Sequence, residues 1–193
     1  MNPYRQSLSA LLVALFTLPL SACGGRVNAP AIPSPDTRID PVGPRRAWTY
    51  DVEVFGSSPL CEAGRHAATV RKLAKVDGKA AYQVESFCPG FGSSYYAVEG
   101  DKVELNYKDQ WVLLLDSPVE EGHSWSNGVS VFTWHNAGSV TVPAGTFADC
   151  WKATETANFT AYTIFCRGVG PVRWYRKDSA GNGIDAQLAM KSF

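Results

Sequence analysis

Apolar and polar residues alternate along most of the chain, in short stretches that are separated by turn sequences. In the first such stretch Trp48, Tyr50, Val52 and Val54 stand two residues apart. Successive side chains of a β-strand point to opposite faces, so this spacing is typical of a strand with one buried face. No stretch after residue 47 has the period of an amphipathic helix. The pattern therefore predicts an all-β fold.

The turns between these stretches favour consecutive antiparallel strands. Asp77-Gly78 is the strongest signal, because a two-residue hairpin loop requires positive φ at both positions. Strands are predicted at residues 48–54, 66–73, 80–87, 93–98, 102–107, 111–115, 123–125, 129–135, 139–142, 147–156, 160–166, 172–176 and 184–192. A flat sheet with this many strands is rare. We therefore expect one antiparallel meander that curls into an open or closed barrel.

The first 22 residues have the pattern of an export signal. Residues 8–20 form an apolar run that is too short for a comfortable membrane span, and it ends in Leu20-Ser21-Ala22-Cys23. This sequence resembles the lipobox of bacterial lipoprotein precursors. The resemblance implies cleavage before Cys23, acylation of that cysteine and a membrane partner that is held through the lipid, since several acyl chains anchor almost permanently. The alternative is a plain secretory signal with an incidental cysteine.

Residues 23–46 are predicted to form the lipidated cysteine and a proline-rich tether, and residues 47–193 to form a single all-β domain. Five prolines and few large apolar residues in residues 24–46 favour an extended linker. Gly24 rather than Asp follows the lipidated position, which under the enterobacterial sorting rule implies the outer membrane. We therefore expect a lipid-anchored protein of the bacterial cell envelope.

Four further cysteines agree with export to an oxidising compartment. They allow three pairings, of which Cys61–Cys88 and Cys150–Cys166 are favoured, because each pair flanks a predicted hairpin. A metal site is the alternative. It is disfavoured because no pair has the spacing of two ligands in a zinc motif and no histidine lies close to two cysteines.

Three short sequence motifs in the second half of the domain resemble motifs of a known group of proteins. They are Leu115-Asp116-Ser117-Pro118 leading to Gly122-His123-Ser124-Trp125, residues 140–147 (VTVPAGTF) followed by Asp149-Cys150, and residues 168–172 (GVGPV). Together they resemble a widespread set of poorly characterised secreted or lipid-anchored bacterial β-proteins. The resemblance implies a fold but no activity and no catalytic residues.

These motifs indicate structural features of the fold. Pro143 and Gly145 favour a reversal of the chain, after which we expect Phe147 to enter the core. Gly168 and Gly170 predict a tight bend or a close approach of two backbones. A glycine-rich phosphate loop is the alternative, but no predicted helix follows it.

Residues with catalytic or metal-binding chemistry are scattered. His66, His123 and His135 stand in separate predicted strands, and only His123 has carboxylates close in sequence, Glu120 and Glu121. Zinc requires three or four convergent ligands, which this spacing does not predict. Residues 178–185 superficially resemble a calcium loop, but alanine stands at the third ligand position, so a hairpin turn is favoured. We assign no catalytic residue, cofactor or metal ligand.

Charge and aromatic content narrow the function further. After removal of the signal, which contains Arg5, the chain has 17 Lys and Arg against 18 Asp and Glu. The basic residues form no stripe or run, so the sequence does not predict a nucleic-acid partner. Six Trp, eight Tyr and nine Phe favour core packing, or else an apolar concavity for a ligand. We expect a non-enzymatic interaction or structural domain that faces the periplasm or the cell surface, where an envelope protein could be its partner. The alternatives are a carrier or sensor of a small apolar or lipidic ligand, and an enzyme without a recognisable motif.

Overall fold

The computed structural model describes residues 36–58, 61–157 and 159–193. They form twelve strands and one short 3-10 turn, Pro89–Phe91. The strands are β1 (Ala47–Phe55), β2 (Gly64–Val76), β3 (Lys79–Glu85), β4 (Ser93–Glu99), β5 (Lys102–Tyr107), β6 (Gln110–Leu115), β7 (Ser124–Ser126), β8 (Val131–Val142), β9 (Gly145–Thr156), β10 (Thr160–Cys166), β11 (Gly170–Lys177) and β12 (Gly183–Lys191). The predicted all-β class is confirmed. No described helix is long and apolar enough to cross a membrane.

All twelve strands belong to one antiparallel sheet. Each strand pairs with the next one along the chain, except that β6 does not pair with β7, and β12 pairs with β1. The meander therefore runs almost a full turn and makes a nearly closed barrel, as the strand pattern predicted. The turn at Asp77-Gly78 has positive φ at both residues, 46° and 83°, which the hairpin signal required.

The barrel stays open along one seam, between the edges of β6 and β7. Side chains connect the two edges there. Trp125 of β7 donates its indole N–H to the carbonyl of Leu114 at 3.2 Å. Trp134 of β8 donates to the carbonyl of Asp116 at 3.0 Å. The seam is thus held by two tryptophan side chains.

Two clusters of buried side chains fill the described interior. The first contains Tyr50, Val52, Phe87, Val172 and Leu188, and the second contains Ile39, Val103, Leu115, Trp125, Trp134 and Phe165. Tyr96 and Val98 of β4 pack against both clusters. Burial at about 25 cal/mol per Å² of apolar surface is the main stabilising contribution in a fold of this kind.

Residues 36–43, which we call the strap, pack against the barrel. Ile39 is 0% exposed and Val42 2% exposed, and each belongs to one of the two clusters. The prediction that the tether extends to Arg46 is therefore corrected: the described part of the domain begins at Asp36. Prolines do not distinguish the two cases, because they are compatible with an extended segment that packs as well as with one that does not.

The two glycines of residues 168–172 are explained by the strap. A Cβ on Gly168 would lie 2.5 Å from the carbonyl oxygen of Asp36. A Cβ on Gly170 would lie 3.1 Å from the Trp48 indole nitrogen and 3.3 Å from an Asp40 carboxylate oxygen. Both residues also have positive φ. The close backbone approach that was predicted here is thus an approach to the strap.

Strands β8 and β9 form one long hairpin. The two predicted strands 129–135 and 139–142 belong to a single strand, β8, with register shifts around Gly138. The hairpin turns at Pro143-Ala144 as predicted, and the Ala144 amide donates to the carbonyl of Leu188 in β12 at 2.9 Å. Phe147, however, is only partly buried against the first cluster. Val142 is the buried residue beside the turn, so the prediction of Phe147 as an internal anchor is corrected.

The four cysteines form the two pairs that the sequence favoured. Cys61 pairs with Cys88, with Cα atoms 4.6 Å apart, and Cys150 pairs with Cys166, with Cα atoms 4.0 Å apart. Cys150 and Cys166 stand directly opposite in the β9–β10 ladder. Cys23, the predicted lipidation site, lies outside the described residues.

Candidate functional site

The histidines with carboxylate neighbours form two separate pairs. His123 Nε2 lies 3.1 Å from Asp116 Oδ2, and its ring stacks on Trp125 at the seam. His135 Nδ1 lies 2.9 Å from Glu121 Oε1. The amide of Asn136 also donates to Glu121, which together with His135 lowers the pKa of that carboxyl. Among the described residues no group of three or more His, Cys, Asp or Glu converges on a point.

Other residues considered from the sequence have structural positions. His66 stands opposite Tyr50 in the β1–β2 ladder, and its Nε2 is buried without a hydrogen bond to described residues. Asp178 accepts hydrogen bonds from the amide and the side chain of Asn182, and the pKa of Asp178 is lowered by these bonds. Residues 178–182 therefore connect β11 to β12 as a hairpin loop, the favoured interpretation of the calcium-like sequence.

Side chains of the protein fill the described interior of the barrel, whereas a carrier would need a cavity there for its ligand. Trp134 and Leu188 are 0% exposed, and Tyr50 is 1% exposed. The strap adds Ile39 to the same interior. Of the aromatic residues concentrated between positions 95 and 134, Trp134 is in the core whereas Tyr107 is 55% exposed. Core packing thus accounts for only part of the aromatic content.

The opposite side of the sheet carries two adjacent rows of mostly polar side chains. The first row is Thr154, Tyr162, Tyr175, Asp185 and Glu53, and the second is Lys152, Ile164, Arg173, Gln187, Asp51 and Arg65. Ile164 is the exception in this set, since it is 8% exposed and belongs to the first cluster. Within each row neighbours are direct cross-strand partners from β9, β10, β11, β12, β1 and, in the second row, β2. Direct partners project to the same side of a sheet. We call these two rows the polar face.

Two tyrosines and an arginine occupy the centre of the polar face. The rings of Tyr162 and Tyr175 stack with centroids 5.0 Å apart and an interplanar angle of 14°. The Arg173 guanidinium carbon lies 5.9 Å and 6.0 Å from the two ring centroids, within the range of a cation–π contact. The ammonium of Lys152 lies 5.7 Å from the Tyr162 ring. These contacts fix the aromatic side chains relative to one another.

Arg173 is held from its other side by Asp185. Its Nε and Nη2 donate to the two carboxylate oxygens of Asp185 at 2.9 Å and 2.6 Å. The Asp185 side chain is only 8% exposed, and this bond raises the pKa of Arg173. A bidentate pair of this kind fixes the guanidinium plane. Arg173 is thus oriented before any partner arrives.

A groove of about 360 Å³ lies beside these residues. Asp51, Glu53, Asp185 and Gln187 line it, and Pro143 at the tip of the β8–β9 hairpin contributes to its wall. Arg65 donates to both carboxylate oxygens of Asp51, at 2.7 Å and 3.0 Å. The groove offers hydrogen-bonding groups and charge. It suits recognition of polar groups and not the burial of an apolar ligand.

Sequence reasoning did not find this face. The spacing of Asp51 and Glu53 was visible as the polar side of β1, but Tyr162 and Tyr175 become neighbours only through the β10–β11 register. That register includes a shift between Ile164 and Phe165. No local signal gives the register of distant pairs.

Comparisons with known proteins show where this fold occurs. No protein-family model matches the chain, and no curated protein matches it. The chain is similar to the crystal structure of a candidate lipoprotein from Parabacteroides distasonis, with 13% identity, a TM-score of 0.50, and coverage of 81% of this chain and 99% of that chain. The likeness is one of fold. A candidate exported protein with a YmcC-like fold from Bacteroides fragilis matches with 10% identity and a TM-score of 0.47, over 81% of this chain and 100% of that one.

Proposed function

We propose that the chain is a lipid-anchored protein of the bacterial cell envelope, placed in the outer membrane through Cys23, and that its β domain is a non-enzymatic binding module. The binding surface is the polar face. The observation that carries this proposal is the stack of Tyr162 and Tyr175 with Arg173 locked to Asp185. Tyrosine and arginine are enriched among the residues that dominate protein–protein binding energy.

The fixed geometry of these side chains supports binding for a second reason. Ordering a mobile side chain at an interface costs about 0.5–1.5 kcal/mol. Tyr162, Tyr175 and Arg173 already constrain one another, so most of that cost is met when the domain folds. The surface is preorganised for a partner.

The charges on the face indicate the chemistry of that partner. Lys152 lies in β9, and Lys177 lies next to the face, two residues beyond Tyr175 in β11. Asp51 and Glu53 lie in β1. The partner is a folded envelope protein whose surface carries acidic groups opposite the lysines and a basic group opposite Glu53. Complementary charge of this kind increases the association rate and selects the orientation.

The export signal supports the envelope location. Leu20-Ser21-Ala22-Cys23 resembles a lipobox, and the fold is shared with a candidate lipoprotein. The carrier alternative receives no support from the described interior, which is packed with tryptophan, tyrosine and leucine side chains.

The test is recovery of a partner from cross-linked membranes with the full-length anchored chain. We expect Tyr162→Ser combined with Tyr175→Ser to lower recovery of a discrete protein at least about tenfold, the loss of roughly 1.4 kcal/mol or more in binding. Tyr107→Ser is the control, since Tyr107 is a 55% exposed tyrosine of β5, away from the polar face, where Tyr162 and Tyr175 are half-buried. Equal recovery with all three proteins, or no discrete partner with the wild type, would contradict the proposal.

A further inference from the structure

The strap is bonded to both halves of the barrel. The Ile39 amide donates to Asp101 Oδ1 in the β4–β5 turn at 2.7 Å. The carbonyl of Arg38 accepts from the Gly168 amide in the β10–β11 turn at 2.9 Å. Arg167 connects the two turns, because its Nη1 donates to Asp101 Oδ2 at 2.7 Å. The strap thus joins the first six strands to the last six at this end of the barrel.

Asp40 follows these two attached residues in the strap and is buried, at 5% exposure. Its Oδ1 has no hydrogen-bond partner among the described residues. A buried polar atom without a partner is unusual in a stable fold, and a buried unpaired charge is more costly still. The position therefore favours the neutral acid over the carboxylate.

The cations closest to Asp40 are already engaged by Asp36. Asp36 accepts from Arg38 at 2.6 Å and from Arg46 at 2.8 Å. Arg38 also donates to the carbonyl of Val42, and Arg46 donates to that of Pro41. These bonds hold the pKa of Asp36 at about 2, mainly through the hydrogen bond from Arg38, so Asp36 keeps its charge.

The other elements that the structure describes around Asp40 supply no compensating charge. β1 brings Tyr50, whose hydroxyl donates to the carbonyl of Pro171 at 2.8 Å, and β4 brings Tyr96. The β10–β11 turn brings the backbone of Gly170, and the Trp48 indole beside it donates to the carbonyl of Val169. Burial raises the pKa of Asp40 to about 7; Arg38 and Arg46 oppose this rise and Asp36 adds to it.

We propose that the strap is a proton-dependent latch: it closes this end of the barrel while Asp40 is protonated and loosens when Asp40 loses its proton. The direction follows from linkage. A carboxyl that is harder to ionise in the closed state than in the open state stabilises closure at low pH. That stabilisation falls as the pH rises from about 4, the ordinary range of the carboxyl pKa, to about 7, and is constant above it. Release of eight residues would lengthen a membrane tether by roughly 26–29 Å at full extension.

The test is hydrogen exchange of peptides that cover residues 36–48 in the full mature chain, measured from pH 5 to pH 9 and divided by the exchange rates of an unstructured chain. We expect the opening equilibrium of the wild type to rise about tenfold per pH unit between pH 5 and pH 7 and then to level off, since one proton is released on opening. Asp40→Asn keeps the shape of the side chain but removes the group that titrates, so the opening equilibrium of this variant should not change with pH. Peptides of β12 should show no change in either protein.

Gly168→Ala is the control, because it should open the strap by a steric clash and not by loss of a proton. Its Cβ would collide with the Asp36 carbonyl, so strap exchange should be fast and independent of pH. A wild-type profile without a rise, a rise that persists in Asp40→Asn, or a parallel change in β12 would overturn the proposal. If Asp40→Asn does not fold, carbon-detected titration of the wild-type carboxyl decides. A midpoint near 7 that coincides with strap exchange supports the latch, and a midpoint near 4 refutes it.

Discussion

At the scale of single residues, the seam depends on tryptophan hydrogen bonds. We expect Trp134→Phe to lower the free energy of unfolding by about 1–3 kcal/mol, because it removes the bond to the Asp116 carbonyl and leaves space in the core. Trp111→Phe is the matched control: that indole is half-buried and its N–H has no partner among the described residues, so the cost should stay below about 1 kcal/mol. Urea unfolding measures both. Equal losses would show that the bond does not stabilise the seam.

Asp36 gives the strap a second dependence on pH. Its pKa of about 2 lies below the usual value of 3.8, so its contribution to stability is present above about pH 4 and is lost as the pH falls towards 2. Because Asp40 acts in the opposite direction, strap protection should be greatest near pH 4–5. Hydrogen exchange of residues 36–48 between pH 2 and pH 5 tests the acid side. Asp36→Asn should remove this dependence; an unchanged acid limb in that variant would contradict the assignment.

At the scale of elements, the β8–β9 hairpin is anchored at Val142. Truncation of a fully buried Phe costs about 3–5 kcal/mol. Phe147 is only partly buried, so we expect Phe147→Ala to cost about 1–2 kcal/mol, no more than Val142→Ala at the 6% exposed site. Thermal and urea unfolding of the two variants give the comparison. A loss above about 3 kcal/mol for Phe147→Ala would restore the sequence-based view of that residue as a core anchor.

Elements were predictable from local sequence wherever the controlling interaction is local. The Asp77-Gly78 turn and the alternation in β1 each depend on a few adjacent residues, and both are present in the structure. The strap and the polar face depend on distant partners instead. Ile39 is buried among side chains of distant strands, and Asp101, 62 positions away, accepts from its amide. Tyr162 meets Tyr175 through the register of two strands. Residue spacing does not encode either contact.

At the scale of the whole molecule, the proposed function requires export and anchoring of the chain. We expect Cys23→Ser to block lipidation and to leave unprocessed precursor, because the thiol of Cys23 is the group that is acylated in the predicted lipobox. Membrane fractionation and mass measurement of the product check this. A variant that matures normally and stays with the membrane would show that another feature anchors the chain.

Site-specific photo-cross-linking in intact cells tests the central claim most directly, namely that the domain works by binding through its polar face. A photoreactive amino acid placed at position 175 of the anchored chain should form a discrete adduct with one envelope protein. Glu53 lies in the same row as Tyr175, with Asp185 between them. Glu53→Lys should reduce the adduct, because it reverses the charge that faces the basic group of the partner. The same probe at position 107, exposed in β5, should give no such adduct. Equal labelling from the two positions, or no adduct from position 175, would contradict the account.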